Sequence, residues 1–255
     1  MSHSISDIWD EECERIARLN HEQGFAQYTD ELDRAWAEFE KGEKPEGLRS
    51  VVHASWLRSH TNGIDAYHFE YQFCEQGELR RIMARNSLLI SIAREIMRNL
   101  LAYNPDGHIN LTDANGVTLH YCGQDLTPIG SILCETVQGT NCTGRCLKEN
   151  RLVYLLSAEN YKEALRVRGK HCAAAPIRDE NGGMLGILTL TADPGCFHYH
   201  TLGTVQAAAE AISQQLILRR LVNEQESVME SLNEGVLVIS ELGVIRQLNC
   251  YARKV

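Results

Sequence analysis

The chain has 255 residues and a formal net charge of −9 at pH 7, from 25 Lys and Arg against 34 Asp and Glu. Binding to nucleic acid requires clustered basic residues, so this acidic balance argues against DNA binding by these residues themselves. The apolar fraction of 44% is enough for a globular core, and the charged fraction of 23% is typical of a soluble protein.

The sequence contains no apolar run near the roughly 18–20 residues of a membrane span, and its acidic start does not match a secretory signal. The cytoplasm is therefore the expected compartment, and no membrane partner is expected. Nine cysteines at irregular spacing do not form a disulfide framework in that compartment. Either they are small core side chains, or some of them bind metal or respond to oxidants.

Residues 1–84 are predicted to form an N-terminal helical region. Apolar residues recur at helical spacing before residue 20, again between Leu32 and Phe39, and again between Leu48 and Ser59. Pro45 and its neighbouring glycines separate the last two helices. Residues 61–80 carry Gly63 and a Tyr/His/Phe cluster and are predicted to be a crossing segment.

An amphipathic helix beginning near Asn86 opens the next region. Two hairpins are predicted around Asn-Gly turns, with strands at 108–113 and 117–123 and at 171–179 and 183–193. Between the hairpins, a helix at 142–150, a strand at 152–158 and a short helix at 160–168 are expected. This order predicts an α+β fold, an antiparallel sheet sandwiched by helices.

One long helix is predicted from Thr201 to about Leu232. Its first part places apolar residues on a face suited to packing on the sheet. Its second part has the 4-3-4-3 spacing of a two-stranded coiled coil, at Leu218, Val222, Gln225, Met229 and Leu232. A homodimer through this helix is therefore expected. A plain surface helix is the alternative, because the seam spans only about two heptads.

Three motifs occur in order between Asn86 and Arg220: GTNCTG at 139–144, CAAAPI at 172–177 and HTLG at 200–203. A fourth motif, ASWLRS at 54–59, precedes them. Together they resemble the GAF sensory domain, and the helix before it, of sigma-54-dependent transcription activators of the acetoin-catabolism and dihydroxyacetone-operon type. The resemblance implies a GAF domain over 85–220, followed by a signalling helix over 221–232.

Residues 233–255 resemble the opening hairpin and first helix of a PAS domain, with Asn249 and Ala252 at matching positions. An isolated hairpin is marginal in water, so the chain is expected to be the N-terminal piece of a longer protein. The resemblance implies a downstream AAA+ ATPase that acts on sigma-54 RNA polymerase, and a helix-turn-helix that binds DNA. The chain has no GxxxxGK[ST] motif, so it is not expected to hydrolyse ATP itself.

A GAF domain holds its ligand between the sheet and a segment that covers one face, and residues 124–165 are the expected cover. The candidate ligand-binding residues are Cys134, Thr140, Asn141, Cys142 and Cys172. Their side chains do not identify the effector.

Four cysteines in and beside the cover form a candidate metal site: Cys122, Cys134, Cys142 and Cys146. The last two are four residues apart at the start of a helix, which places them on one face and favours thiolates. Converging thiolates would bind zinc or an iron–sulfur cluster. The spacing matches no standard pattern for either, and the alternative is a set of small side chains lining an organic-ligand pocket.

Two other clusters are candidates. Cys196, His198 and His200 resemble a set of metal ligands, but they also suit packing at the start of the last helix. A basic stretch borders the expected pocket and forms either a solvated face or a contact for an anionic effector or partner, at Lys162, Arg166, Arg168 and Lys170.

The preferred function is an effector-sensing, dimerising module of a bacterial transcription activator. One alternative is a regulatory domain that docks a protein, since regulators of the dihydroxyacetone type respond to kinase subunits. A second is a metal or redox sensor that uses the cysteines. An enzyme, such as a methionine sulfoxide reductase with a GAF-like fold, would need reactive cysteines among Cys134, Cys142 and Cys146. No Ser-His-Asp or Cys-His arrangement has local motif support, so no enzymatic activity is expected.

Overall fold

A computed structural model describes residues 22–124 and 127–254, without the side chains of residues 22–30 and of Tyr199. The helix predicted before residue 20 lies outside these residues. The chain divides into two compact units, one ending at Ile212 and the other beginning at Ser213. Within the described residues, no helix is both long enough and apolar enough to cross a membrane.

The first unit combines helices with a five-stranded sheet, as the sequence predicts. Its helices are α1 (Glu22–Glu40), α2 (Ser50–Thr61), α3 (Gln76–Arg85), α4 (Ser87–Ala102), α5 (Glu135–Gln138), α6 (Cys142–Glu149), α7 (Glu163–Val167) and the start of α8 (Tyr199–Ser231). Its strands are β1 (His108–Asp113), β2 (Thr118–Gly123), β3 (Val153–Leu155), β4 (His171–Arg178) and β5 (Met184–Ala192).

The sheet is antiparallel with strand order β2-β1-β5-β4-β3. Ile109 pairs with Leu190 and Asn110 pairs with Thr189, so successive residues of the two central strands point to opposite faces. One face, called the back, presents Ile109, Leu111, Leu188 and Leu190. The other, called the front, presents His108, Asn110, Cys172, Thr189 and Thr191. These residues make the back of the sheet apolar and give the front several polar side chains.

The back of the sheet is covered by helices with apolar contact faces. Helix α4 packs against β1 and β2, and its buried side chains include Leu89, Ala93 and Met97. The first part of α8 also buries apolar residues, and Val205 borders the same surface groove as Leu190. The apolar side chains that predict both helices from the sequence are therefore the ones that cover this face of the sheet.

The front is covered by α5, α6 and the loops around them, within residues 127–165, which we call the cover. Helix α6 contacts β3, β4 and β5. At one end of the front, α1 and α2 add an aromatic cluster in which the Trp36 and Trp56 rings meet edge to face at 4.9 Å. That cluster packs with Ala174 and Ile187 of the sheet, so this end of the front is filled.

The outer edge of β3 is closed by two arginines. The guanidinium groups of Arg49 and Arg145 each donate a hydrogen bond of 3.1 Å to the carbonyl oxygen of Tyr154. Arg49 also lies over the Tyr154 ring, 3.9 Å from its centroid. Its Nε donates to the buried carboxylate of Glu159 at 2.7 Å, which forms an ion pair between the N-terminal region and the cover.

Three elements differ from the sequence predictions. The strand expected at 152–158 ends at Leu155, because the backbone N–H of Leu156 donates to the Glu159 carboxylate and the chain turns there. The 61–80 segment, predicted as a crossing segment with no helix named in it, includes the start of α3. The four-residue helix α5 was not predicted.

The second unit contains the end of α8 and a hairpin of β6 (Leu237–Ile239) and β7 (Ile245–Leu248). Asn249 is fully buried and ties these elements together. Its Nδ2 donates to the carbonyl oxygens of Met229 and Glu234, and its Oδ1 accepts from the backbone N–H groups of Val236 and Ala252. The strands themselves are largely exposed, as expected for an isolated hairpin.

Candidate functional site

A cavity of about 120 Å³ lies between the front of the sheet and the cover. The sheet contributes His108, Asn110, Cys172, Thr189 and Thr191. The cover contributes Leu133, Gln138, Asn141, Cys142 and Thr143, and the segment before α3 adds Phe69 and Tyr71. Arg168 and Lys170 also line it, just before β4. The cavity thus lies where the resemblance places a ligand.

Two amide oxygens in the cavity wall are buried without a hydrogen-bond partner in the described structure. Asn110 is 3% exposed and Gln138 is 2% exposed, and the atoms concerned are Asn110 Oδ1 and Gln138 Oε1. The Gln138 amide is oriented because its Nε2 donates to the carbonyl oxygen of Glu70 at 2.9 Å. Buried acceptors of this kind are costly unless a donor reaches them, so a donor from water or a ligand is expected here.

Other polar groups of the wall are paired with one another. The hydroxyls of Thr143 and Thr189 lie 2.9 Å apart and join α6 to the sheet. The Nε2 atom of His108 lies 2.8 Å from the Thr127 hydroxyl. The Cys172 thiol lies 3.2 Å from the Thr191 hydroxyl. These contacts hold the wall of the cavity in place.

The GTNCTG motif builds the turn that enters α6. Asn141 caps the helix, with its Oδ1 accepting from the Gly144 N–H at 2.9 Å, and its Nδ2 donates to two backbone carbonyls. Gly139 has φ +71°, and a Cβ there would come within 2.9 Å of the Tyr161 ring. A Cβ on Gly144 would come within 2.8 Å of the Glu135 backbone nitrogen. The motif therefore has a structural role beside the cavity.

Thr140, although adjacent to Asn141, faces away from the cavity. Its hydroxyl lies 2.7 Å from the Ser55 hydroxyl and 3.1 Å from the Ser59 hydroxyl, both on α2. Its role in ligand binding stays a prediction. The neighbouring contacts show the role of the ASWLRS motif, which fastens α2 to the cover.

Glu135 is the centre of that attachment. Its carboxylate accepts hydrogen bonds from the Ser55 hydroxyl at 2.5 Å and from the Arg58 guanidinium at 2.7 and 2.9 Å. The hydrogen bond and charge of Glu135 raise the pKa of Arg58. Trp56 Nε1 donates to the carbonyl oxygen of Glu159 at 2.8 Å. Helix α2 thus holds both ends of the cover.

The structure does not bring the four candidate metal ligands together. Cys142 lines the cavity, and Cys146 is buried behind it, with its thiol directed at the Arg151 carbonyl. Cys134 borders a separate surface groove, and Cys122 pairs with Ile109 and so lies on the back of the sheet. In the described parts of the chain, no three His, Cys, Asp or Glu side chains are placed to hold one metal ion.

The buried cysteines are protonated thiols at neutral pH. Burial raises the pKa of Cys142 and Cys146 well above the usual value, and it raises the pKa of Cys172 to about 11. Sequence reasoning expected the start of α6 to favour thiolates. Desolvation outweighs that effect here, because both cysteines of α6 face the protein interior.

The basic stretch separates into two pairs. Lys162 Nζ donates to the carbonyl oxygens of Asp65 and His68 at 2.6 and 2.7 Å, and Arg166 stacks on Trp36 at 3.7 Å from the ring centroid. These two anchor the cover. Arg168 and Lys170 instead line the cavity. The cluster of Cys196, His198 and His200 borders a different groove, at the start of α8.

Sequence reasoning missed Asn110, Gln138, Phe69 and Tyr71. For Asn110 a signal was present, because His108, Asn110 and Thr112 alternate with apolar residues along β1 and mark a polar face. For Phe69 and Tyr71 the aromatic composition was visible, but their approach to the cavity depends on contacts distant in sequence.

Residues 85–216, more than half of the chain, match the family model of the GAF domain. The chain is 28% identical over 190 residues to a signal-transduction and transcriptional-control protein of Clostridium beijerinckii, covering 68% of this chain and 30% of that protein. It is 26% identical over 193 residues to AcoR, the acetoin dehydrogenase operon transcriptional activator of Bacillus subtilis (strain 168), covering 71% and 32%. The alignments thus span about a third of each relative.

Among solved structures, the chain is similar to DhaR(N) in the E. coli DhaR(N)-DhaL complex, with a TM-score of 0.62 and 17% identity over 81% of this chain and 77% of that one. At this identity the likeness shows the fold, and it confirms the predicted α+β architecture. The predicted resemblance to regulators of the acetoin type is supported by the match to AcoR. Since the family model covers more than half of the chain, including the sheet and the cover, the chain belongs to the GAF domain family.

Proposed function

We propose that this chain is the effector-sensing and dimerising module of a bacterial sigma-54-dependent transcription activator, and that a small molecule binds in the cavity. The observation that supports this function is the cavity itself, whose wall contains the buried Asn110 and Gln138 oxygens. Such acceptors would weaken a domain that only needed a stable core. They suit a site that a ligand completes.

Ligand binding would act through the cover. Gln138 and residues 141–143 line the cavity, and the same segment is bound to α2 through Glu135 and Thr140. A ligand that contacts these residues favours the conformation in which the cover is closed. Helix α8 begins in the GAF domain and continues to Ser231, so it is the connection through which the bound state would be transmitted.

Dimerisation is proposed to use the second part of α8. Two of its seam residues are exposed apolar side chains, Leu218 at 62% and Val222 at 38%, and Leu232, one residue after the helix, is 46% exposed. A row of exposed apolar residues at heptad spacing suits a two-stranded coiled coil. Burial of this row in a homodimer is therefore expected.

The residues after the helix are proposed to open a PAS domain, with Asn249 fixing the first hairpin to the end of α8. DNA and sigma-54 RNA polymerase would be bound by domains outside these 255 residues, and the protein would act in the cytoplasm. No catalytic activity is proposed for this chain. Burial raises the pKa of Cys142 and Cys146, which disfavours a thiolate nucleophile at these two positions.

Two deletions in α8 test the signalling role in the intact regulator. Each residue of an α-helix advances by about 100°, so deleting residues 223–224 rotates the part of the helix after the deletion by about 200°. Deleting residues 219–225 removes one heptad and keeps the seam in phase. We expect the two-residue deletion to abolish induction of the target promoter and the seven-residue deletion to retain it. Calorimetry with the inducing metabolite should give unchanged affinity for both. Equal induction by both proteins would contradict the mechanism.

A second candidate function is the docking of a regulatory protein on the GAF domain. The structure of DhaR(N) is that of a complex with DhaL, which supports considering the same kind of interaction here. Calorimetry with metabolites and a pull-down with the protein products of neighbouring genes separate the two functions. Binding to a protein partner without binding to any metabolite would favour docking.

A cysteine-based metal or redox sensor remains a prediction with weaker support. The four candidate ligands lie in different surroundings, and burial keeps Cys142 and Cys146 protonated. Anaerobic purification followed by zinc, iron and sulfide analysis tests it. Metal content near one equivalent per chain would support this function.

A further inference from the structure

The composition of the cavity wall indicates the kind of molecule that it takes, provided that the proposed effector-binding function is correct. We propose that the effector is a small organic acid that also carries hydrogen-bond donors, such as a hydroxy acid or an amino acid. Its donors bind Asn110 Oδ1 and Gln138 Oε1, and its carboxylate lies at Arg168 and Lys170.

The donor requirement follows from the two amide oxygens. An amide oxygen can only accept a hydrogen bond, and both atoms are buried without a partner in the described structure. The orientation of Gln138 is fixed by its bond to the Glu70 carbonyl, so its oxygen stays available to the cavity. Hydroxyl and ammonium groups satisfy these acceptors, whereas a ketone or ether oxygen leaves them unsatisfied.

The charge requirement follows from the ionisable groups of the wall. The described lining residues include Arg168 and Lys170 but neither an Asp nor a Glu. Lys170 lies 3.5 Å from the Asp193 carboxylate, which holds its ammonium group near the entrance to β4. A carboxylate is the small anion that an arginine binds with two parallel hydrogen bonds. The wall therefore favours a ligand that has a carboxylate over one without an anionic group.

The size requirement follows from the volume. The cavity volume of about 120 Å³ is several times the roughly 10–15 Å³ that one water molecule needs on the same measure. The space is therefore large enough for a metabolite of three or four carbon atoms. Phe69, Tyr71 and Leu133 supply apolar wall that suits a short carbon chain.

Four three-carbon probes separate these requirements in calorimetry with the purified chain. L-Lactate and L-alanine have a carboxylate and a donor, propionate has only the carboxylate, and 1,2-propanediol has only donors. We expect lactate or alanine to bind at least about tenfold more tightly than propionate and propanediol, because each probe of the second pair loses one kind of contact. Equal binding of all four, or binding of neither lactate nor alanine, would overturn the proposal.

Substitutions assign the contacts. Asn110→Leu removes one acceptor with little change in shape, so we expect about tenfold weaker binding of the tighter acid and an unfolding temperature no lower than that of the wild type. Arg168→Gln with Lys170→Gln should abolish the preference for lactate over propanediol. Arg98→Gln, an exposed arginine on α4, is the matched control and should change neither quantity.

Unchanged affinity in Asn110→Leu and in the Arg168/Lys170 double variant would refute the assigned contacts. If propanediol alone binds, the acidic class of effector is wrong but small-molecule sensing stands. The deletion pair in α8 tests that sensing function separately, because it measures promoter induction in the intact regulator.

Discussion

The two sides of the five-stranded sheet are covered in different ways. On the back, α4 and the start of α8 bury apolar side chains against Ile109, Leu111, Leu188 and Leu190, which are all fully buried. On the front, short helices and loops are held by charged groups, namely Arg49 with Glu159 and Arg58 with Glu135. The front also encloses the cavity, and the back does not contribute to its wall.

This difference separates stability from response. Apolar packing is insensitive to pH and to small polar molecules, so the back provides a constant base for the sheet. Buried ion pairs and unsatisfied acceptors depend strongly on their partners, so we expect the front to change when a partner is added or lost. Substitutions on each side can test whether the front and the back differ in this way.

The largest loss of stability is expected from Glu159→Gln. This change leaves the buried Arg49 guanidinium without its counterion, and removing one partner of a buried ion pair costs about 3–5 kcal/mol. Urea unfolding at neutral pH measures the loss of stability. Glu163→Gln, an exposed change in the same cover, should stay within about 0.5 kcal/mol of the wild type. Similar losses in both variants would mean that the ion pair is not the contact that holds the front.

A somewhat smaller effect is expected from Leu188→Ala on the back. Truncating a fully buried leucine costs about 2–5 kcal/mol, here about 3, because a cavity remains in the sealed layer. Affinity for the effector should be unchanged, since Leu188 does not line the front cavity. Val167→Ala, at a side chain that is 80% exposed, is the control. Weaker effector binding in Leu188→Ala would show that the two sides are coupled.

The smallest of these effects is a dependence on pH that belongs to His171. Burial lowers the pKa of this imidazole from 6.5 to about 4, although the Glu159 charge opposes the shift, and its Nδ1 accepts from the Ser157 N–H. Below pH 6.5 the unfolded chain therefore binds more protons than the folded one, so stability falls as the pH falls. Between about pH 7 and about pH 5 the expected loss is about 2 kcal/mol.

Urea unfolding at the two pH values measures this loss. It should be largely absent in His171→Gln and fully present in His68→Gln, because His68 is exposed. It should also persist in Leu188→Ala, because that substitution leaves His171 and its contact with Ser157 in place. A full loss in His171→Gln would contradict the assignment.

The sequence predicts the sheet better than the site. Both hairpins follow from Asn-Gly turns and alternating strands, which are local signals. The wall of the cavity is harder to predict, because nearby residues of one motif face different elements. In the GTNCTG motif, Thr140 contacts α2, whereas Cys142 lines the cavity. The spacing of Cys142 and Cys146 correctly places them on one face of α6. That face points into the apolar interior, which spacing alone does not reveal.

The closure of both outer strands has a consequence for aggregation. At β3, the Tyr154 carbonyl is occupied by Arg49 and Arg145, and at β2 the backbone of Thr118 exchanges hydrogen bonds with Gly130 and Ser131. Edge strands with unpaired backbone N–H and C=O groups can pair with strands of other molecules, which leads to aggregation and amyloid. Because both outer strands carry such contacts, we expect little polymerisation through the edges of this sheet.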